Sequence, residues 1–491
     1  MMESCLKPNT PTLQFSSHVF DKQEPLSICF GAIKIYRPRL GSFPFVTQSP
    51  TPTTDLPSPQ PRRALNLAGL VALTFFCVAG GAYGLEDAIG AAGPMIVLVG
   101  VLILPWLWSF PTALMTAELA TAMPEDGGYV IWVERAFGRF WGFQEGWLSW
   151  LCSFADNALY PVMFVDYLVY LNGDMSPAER WLIGVGVISF VSWLNVRGIR
   201  VVGFSSVVFT LLVLAPFVVM VWLGAPKVET VHWFARAAVI DWPLLLSTLL
   251  WNTSGWDNAG CCAGEVIRPN RIYPRAMALT VALVTAVYLL PVAVGVSADT
   301  QWANWQEGQL PKIAAAIGGG WLGAWLAAAG LISAVGLFNA LLCTSSRVSY
   351  AMARRAMLPR PLADLHPHHA TPAKSIIVNA SGVALLIPFS FQELIQVDMF
   401  LYALALLLEF AALIWLRIKA PGMARPYRVP FGMPGVVAIS VPPAALCVVS
   451  IVMSNEVTKY AALFAIGIGL VYYRWRCRTS SAHEPEIAPT V

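Results

Sequence analysis

The stretch Val78-Ala79-Gly80-Gly81-Ala82-Tyr83-Gly84 interrupts an apolar run over residues 64–91. A second run, over 242–264, is interrupted at Trp251-Asn252-Thr253-Ser254-Gly255-Trp256-Asp257-Asn258-Ala259-Gly260. These two runs are five spans apart, an odd number, so equivalent helices of the two halves point in opposite directions. Paired broken helices in inverted repeats are typical of transporters that bind their substrate near the bilayer midplane. Glycine also serves close packing in membrane helices, an alternative that suits one such cluster better than two.

The composition identifies the solvent of this chain as lipid. Of its 491 residues, 57% are hydrophobic and 12% are charged, whereas soluble domains carry roughly 25% charged residues. The apolar runs are about 20 residues long, which is what a helix needs to cross a ~30 Å hydrocarbon layer. We therefore predict an all-α polytopic membrane protein with about twelve transmembrane helices in an inverted 5+5 repeat, helices 1 and 6 being discontinuous. The predicted spans are 64–91, 94–122, 142–171, 179–196, 201–224, 242–264, 274–297, 319–345, 373–390, 397–418, 434–453 and 458–474.

The distribution of Lys and Arg predicts the orientation. If the N-terminus is cytoplasmic, the inner connections hold 21 basic residues and the outer ones five, a strong positive-inside bias that places both termini in the cytoplasm. Residues 1–60 are rich in Pro, Ser and Thr and are predicted to be a disordered cytoplasmic tail, with an organelle transit peptide as the alternative. Residues 61–476 form the transport domain, with repeats at about 64–224 and 242–418 and two further helices at 434–453 and 458–474. Residues 477–491 form a short tail.

Several functional classes are excluded. The nine cysteines lie in predicted spans or on the cytoplasmic side, so no structural disulfide is expected, and their spacing suits no metal site. No nucleotide-binding or hydrolase motif is present, so the chain is not expected to be an enzyme or to carry a cofactor. The net charge of +3 reflects topology and not a nucleic-acid partner.

Two acidic residues begin the second half of the first span. Glu86 and Asp87 follow the glycine cluster directly, where the start of a helix favours negative charge. Capping of that helix is one interpretation. The other concerns the ligand, because bare amides at such a break suit a carboxylate, whereas two acids there favour a cation.

Two further acids lie in the middle of predicted spans. Asp156 is followed by Asn157, and Tyr160 lies one turn on, on the same helix face. Glu409 lies two turns after Tyr402. Because a charge at the bilayer centre costs about 2.5–3.5 kcal/mol on insertion scales, we expect these acids to bind a cation or a proton, and Asp156 and Glu409 are the candidates for proton coupling.

The second break combines an acid with aromatic rings. Asp257 either binds a cation or accepts hydrogen bonds from the unwound backbone. Trp251, Trp256, Tyr160 and Tyr83 are positioned to stack on an ammonium group, although most tryptophans of such a chain serve packing or the membrane interface. The predicted binding residues are Gly80, Gly81, Tyr83, Gly84, Glu86, Asp87, Asp156, Asn157, Tyr160, Trp251, Asn252, Trp256, Asp257, Tyr402 and Glu409.

Acids nearer the predicted cytoplasmic end have more ordinary explanations. Glu118 is interpreted as a gate or a loop anchor. Glu265, Arg268 and Arg275 are expected to form salt bridges at the inner rim.

Several of these stretches together resemble the amino acid–polyamine–organocation transporters, and in particular the plant-type polyamine uptake branch related to the L-type amino acid carriers. The resemblance covers roughly residues 64–475. The stretches that carry it are Gly80-Gly81-Ala82-Tyr83-Gly84-Leu85-Glu86-Asp87, Pro124-Glu125-Asp126-Gly127-Gly128-Tyr129, Asp156-Asn157-Ala158-Leu159-Tyr160-Pro161, Gly255-Trp256-Asp257 with Gly264-Glu265 and Pro269, and Ser346-Arg347 through Tyr350-Ala351-Met352-Ala353-Arg354.

The resemblance implies a LeuT-like fold in which helices 1, 3, 6, 8 and 10 hold the substrate. It also implies uptake of putrescine, spermidine or spermine with protons, expected at the plasma membrane, an endomembrane or organelle being the alternative. By carry-over, the Gly80–Gly84 backbone and Trp256 line the site, while Asp156 and Asp257 meet ammonium groups. An amino acid exchanger of the same fold is the main alternative; a non-transporting receptor or a channel suits the sequence less well.

Two departures from related carriers narrow the expectation. The fifth span reads Phe209-Thr210-Leu211-Leu212-Val213 and lacks the lysine that many amino acid carriers of the superfamily have there, so a carboxylate must carry any coupled proton. The loop at 172–177 has no cysteine, so no disulfide-linked heavy chain is expected. The expected partners are an organic cation, protons and the bilayer.

Overall fold

The apolar runs form helices whose ends coincide with prolines and glycines. The computed structural model describes residues 63–481 apart from 174, 307 and 390, so the predicted disordered tail at 1–60 and most of the tail at 477–491 lie outside the described residues. The α-helices are α1 Leu67–Val78, α2 Glu86–Ala92, α3 Pro94–Leu104, α4 Phe110–Ala122, α5 Tyr129–Phe137, α6 Arg139–Asn172, α7 Pro177–Arg197, α8 Ile199–Gly224, α9 Trp242–Trp251, α10 Pro269–Ala298, α11 Leu310–Gly318, α12 Gly320–Arg354, α13 Ala373–Leu386, α14 Phe391–Lys419, α15 Gly432–Met453 and α16 Glu456–Ser481.

The described chain is all-helical and polytopic. Within 63–481, pairing between extended segments is limited to two isolated β-bridges. Helices α3 and α4 are joined into one helix by a π-helical segment, Pro105–Ser109. Six helices are long and apolar enough, by length and composition, to cross a membrane: Pro94–Ala122, Ile199–Lys227, Pro269–Ala298, Gly320–Arg354, Glu393–Lys419 and Gly432–Met453. The other predicted spans also form helices, but these are shorter or less apolar.

The first predicted break is present, and glycine makes it possible. Helix α1 ends at Val78, and α2 begins at Glu86. Gly80 has a φ of 63°, and a Cβ there would lie 2.7 Å from Ser333 Oγ, so both the backbone conformation and the close approach require glycine. The hydroxyl of Ser333 on α12 donates to the carbonyl of Gly80 and satisfies a backbone group that the break frees from the helix.

The second break is longer than the sequence suggests. After α9 ends at Trp251, the chain forms only short 3₁₀ turns until α10 begins at Pro269. Gly255 has a φ of 93°, and a Cβ there would lie 2.2 Å from the carbonyl oxygen of Cys77 at the end of α1. The two breaks are therefore packed against each other. The hydroxyl of Tyr273 donates to Ala259 O at 2.7 Å, which stabilises the non-helical segment.

Two short helices were not predicted. Helices α5 and α11 have nine residues each, too few to cross a bilayer. Each packs one apolar face on a long neighbour, α5 on α6 and α11 on α12. Their apolar runs, residues 129–133 and 313–317, are only five residues long, so neither is marked as a span in the sequence.

Two buried ion pairs tie the helices together at the end predicted to be cytoplasmic. Glu118 accepts two 2.6 Å hydrogen bonds from Arg417 and one of 2.7 Å from the backbone of Val429, so it anchors the segment after α14, in agreement with the loop-anchor interpretation. Glu265 pairs at 2.7 Å with Arg347 of α12; Arg268 and Arg275, the expected inner-rim partners, are not its partner in this pair.

Candidate functional site

A cavity lies where the two breaks meet helices α6, α12 and α14. Its position follows from the broken helices, because each break leaves room beside the freed backbone. The structure brings eight of the predicted binding residues to its wall: Tyr83, Asp156, Asn157, Tyr160, Trp251, Asn252, Asp257 and Tyr402.

Three carboxylates line this cavity, and one of them was not predicted. Asp257 and Asp398 are buried, Asp156 is partly buried, and the charges of the three act on one another. The described residues that line the cavity include no Lys, Arg or His. Buried carboxylates without a basic partner are costly unless a cation or a proton neutralises them, so the cavity is suited to a positively charged ligand.

Each carboxylate accepts from a neutral side-chain donor. The hydroxyl of Tyr160 donates to Asp156 Oδ1 at 2.8 Å, and the hydroxyl of Tyr402 donates to Asp257 Oδ1. The thiol of Cys152 donates to Asp398 Oδ1 at 2.8 Å. A carboxylate can accept several hydrogen bonds, so each acid keeps acceptor capacity for a ligand.

Aromatic rings cover the part of the cavity next to Asp156. The rings of Tyr160 and Trp251 are stacked with centroids 6.5 Å apart, and the Trp251 side chain also bonds to Asp156. Such faces attract an ammonium group by cation–π interaction. Tyr83 is directed elsewhere, because its hydroxyl donates to Leu326 O on α12 at 2.7 Å.

The two asparagines of the wall hold the backbone in place. The amide of Asn252 donates to Gly84 O at 3.1 Å and so links the two breaks. The amide of Asn157 donates to Ser153 O within α6 at 2.6 Å, and its Oδ1 has no hydrogen-bond partner among the described residues. That oxygen is a free acceptor next to Asp156.

Several predicted residues lie outside the cavity wall. Gly80, Gly81 and Gly84 form the first break itself. Glu86 is buried and accepts from Gly84 N at 2.8 Å and from Leu310 N at 3.5 Å, the geometry expected of an acid that caps the start of α2. Asp87 lies in a separate recess that Gly84 and Trp251 also line.

Trp256 and Glu409 are buried behind the wall. The indole of Trp256 donates to Thr253 O at 2.8 Å, and the residue has no exposed surface, so it packs within the second break. Glu409 is 1% exposed and lies two turns beyond Tyr402 on α14, within electrostatic range of Asp257.

Sequence reasoning missed two buried acids. Asp398 has the same spacing to Tyr402 that Asp156 has to Tyr160, and this repeated Asp-x-x-x-Tyr pattern was the available signal. Glu145 lies three turns before Asp156 on α6 and is fully buried. Its position in an otherwise apolar run was a weaker signal, because an acid near the end of a span often reaches water.

The known proteins to which this chain is similar are described as permeases, transporters and exchangers. A family model described as amino acid permease matches residues 65–471. Polyamine transporter PUT1 of Oryza sativa subsp. japonica is 41% identical over 420 residues, which cover 84% of this chain and 78% of that protein. Polyamine transporter RMV1 of Arabidopsis thaliana is 38% identical over 432 residues, with 85% and 88% covered. The serine/threonine exchanger SteT of Bacillus subtilis (strain 168) is 26% identical over 337 residues, with 65% and 74% covered.

Proposed function

Because the chain belongs to the amino acid permease family, we propose that it is a secondary transporter that takes up polyamines: putrescine, spermidine or spermine. The observation that carries this proposal is the cavity of three carboxylates, Asp156, Asp257 and Asp398, with no basic residue in its described wall. A linear polyamine presents ammonium groups separated by methylene chains, so it can pair with several acids at once while its methylenes contact the aromatic rings. The names of the plant relatives support the same substrate class.

The geometry favours a cation over an amino acid. A transporter of amino acids needs free amides at the breaks to hold the substrate carboxylate. Here the Gly84 amide donates to Glu86 at 2.8 Å, and the Gly255 amide donates to the hydroxyl of Tyr402 at 3.1 Å. With these two amides occupied by the protein's own side chains and three carboxylates close by, the carboxylate of an amino acid would be repelled.

We propose coupling to protons through the same acids. An empty cavity with several buried carboxylates retains protons, since unpaired charges there are costly. A proton that enters with the substrate neutralises an acid that no ammonium group contacts, and Asp156 and Glu409 are the proposed proton sites. The proposed scaffold is a LeuT-like bundle of twelve spans with two inverted five-helix repeats and both termini in the cytoplasm, at the plasma membrane. Alternating access then moves the broken helices relative to α6 and α12.

The test is uptake of radiolabelled spermidine into proteoliposomes, with and without an inward proton gradient, by wild type and by Asp156→Asn. We expect uptake that the gradient stimulates and that the substitution abolishes. Asp166→Asn is the matched control, because Asp166 lies on the same helix but pairs with Arg180 at partly exposed positions. Exchange of amino acids without any spermidine uptake would contradict the proposal.

A further inference from the structure

Besides the three acids of the cavity, a pair of buried acids lies beyond it, towards the end predicted to be cytoplasmic. Glu145 of α6 and Glu409 of α14 are 0% and 1% exposed, and Glu409 is within electrostatic range of Glu145. Glu145 Oε1 accepts from Ser149 at 2.9 Å. The Oε2 atoms of both residues are buried and have no hydrogen-bond partner among the described residues, so this pair has unused acceptor capacity that packing does not explain.

The position of this pair repeats that of the acids in the cavity. Glu145 precedes Asp156 by eleven residues, and Glu409 follows Asp398 by eleven residues. Eleven residues are close to three helical turns, so each glutamate lies on the same helix face as its aspartate, roughly 16 Å away. Because α6 and α14 pack together with Asp398 next to Cys152, antiparallel helices place both glutamates towards the same end, with Glu409 roughly 6 Å further along the axis than Glu145.

The glutamate pair lies directly behind the cavity wall. Ser149 and Tyr129 line the cavity; Ser149 bonds to Glu145, and Tyr129 is within electrostatic range of Glu409. Asp257 in the cavity wall is also within electrostatic range of both glutamates. Acids therefore follow one another along the seam between α6 and α14.

We infer that Glu145 and Glu409 form a second ammonium site, which receives the leading amine of a long polyamine and so selects substrates by length. This inference rests on the proposed function. A saturated chain extends roughly 1.2 Å per bond, as an extended polypeptide does. The thirteen bonds between the terminal nitrogens of spermine then span roughly 16 Å, the separation along the axis of Asp156 from Glu145 and of Asp398 from Glu409, whereas the five bonds of putrescine span roughly 6 Å. Spermine reaches from an aspartate of the cavity to the glutamate pair, whereas putrescine is held within the cavity.

The test measures uptake of radiolabelled spermine and putrescine into proteoliposomes by Glu145→Gln, with Asp166→Asn as control; Glu409 is left unchanged because it is also a proposed proton site. We expect the KM for spermine to rise about tenfold, the loss of one charge-assisted contact, and the KM for putrescine to change less than twofold. Retained putrescine uptake also shows that the variant is folded.

Two results would overturn this inference. One is an unchanged KM for spermine. The other is an equal loss for both amines, which would assign the pair to a step common to all substrates, such as proton transfer. Wild-type protein that takes up neither amine would instead contradict the proposed function, so the two failures are distinguishable.

Discussion

Asp398 provides the sharpest test of the cation cavity, because nothing in the sequence reasoning pointed to it. The substitution Asp398→Asn keeps the shape of the side chain and leaves an oxygen to accept from the Cys152 thiol, which now lies 2.8 Å from Oδ1. It removes one of the three carboxylate charges of the wall. If an ammonium group of the substrate contacts this acid, the loss is one charge-assisted hydrogen bond, about 1.5–3 kcal/mol. Since 1.4 kcal/mol corresponds to a factor of ten, affinity should fall by about ten- to a hundredfold.

The assay is spermidine uptake into proteoliposomes over a range of concentrations, with KM and maximal rate fitted separately. We expect KM to rise by this factor and the maximal rate to change less, because the substitution removes a binding contact and not a moving part. Asp166→Asn is again the control for the loss of an acid on a neighbouring helix. A KM within twofold of wild type would refute the reasoning, since it would mean that Asp398 only satisfies the thiol.

Three further substitutions test the structure around the cavity. Tyr402→Phe removes a hydroxyl that accepts from the Gly255 amide and donates to Asp257, so we expect a loss of stability of about 1–3 kcal/mol. Uptake should fall further than for Tyr160→Phe, whose hydroxyl makes one hydrogen bond, and equal losses of uptake would contradict this. Gly255→Ala should abolish uptake or folding, because the φ of 93° and the Cys77 carbonyl oxygen 2.2 Å from the Cβ position exclude a side chain there. Gly467→Ala is the control: no atom lies within 4 Å of its Cβ position, so it should behave as wild type in the same uptake assay. Glu118→Gln leaves Arg417 and Arg425 without the carboxylate that they share and should cost about 3–5 kcal/mol, seen as a lower unfolding temperature in detergent. An unchanged temperature would show that these ion pairs do not stabilise the fold.

The breaks were predictable because their cause is local. Glycine at Gly80 and Gly255 is required by a positive φ and by close contact with another segment, and a glycine cluster in an apolar run is visible in one sequence. The same holds for Asp156 and Tyr160, since a spacing of four residues on a helix fixes which side chains meet. Local rules therefore predicted both the position of the cavity and its first acid.

The direction of side chains within the breaks was not predictable in the same way. An unwound segment has no fixed periodicity, so the sequence does not indicate that Trp256 turns into the packing of the break while Trp251 faces the cavity. Glu86 likewise accepts a hydrogen bond from the backbone of the break. Whether an acid at the start of a helix caps that helix or binds a ligand depends on the neighbours that tertiary structure supplies.

The buried acids differ in the side chains that they contact, and this difference distinguishes acids that stabilise the fold from acids that are available to a ligand. Glu118 and Glu265 are paired with arginines at 2.6–2.7 Å; such pairs are permanently satisfied and expensive to break. Asp156, Asp257 and Asp398 instead meet two tyrosines and a cysteine, neutral donors that orient a carboxylate without cancelling its charge. An arginine in the cavity would compete with every ammonium substrate, whereas a hydroxyl leaves the charge for the substrate to neutralise. We therefore propose that the three cavity acids, whose side-chain partners are neutral, bind the substrate, whereas Glu118 and Glu265, which pair with arginine, stabilise the fold.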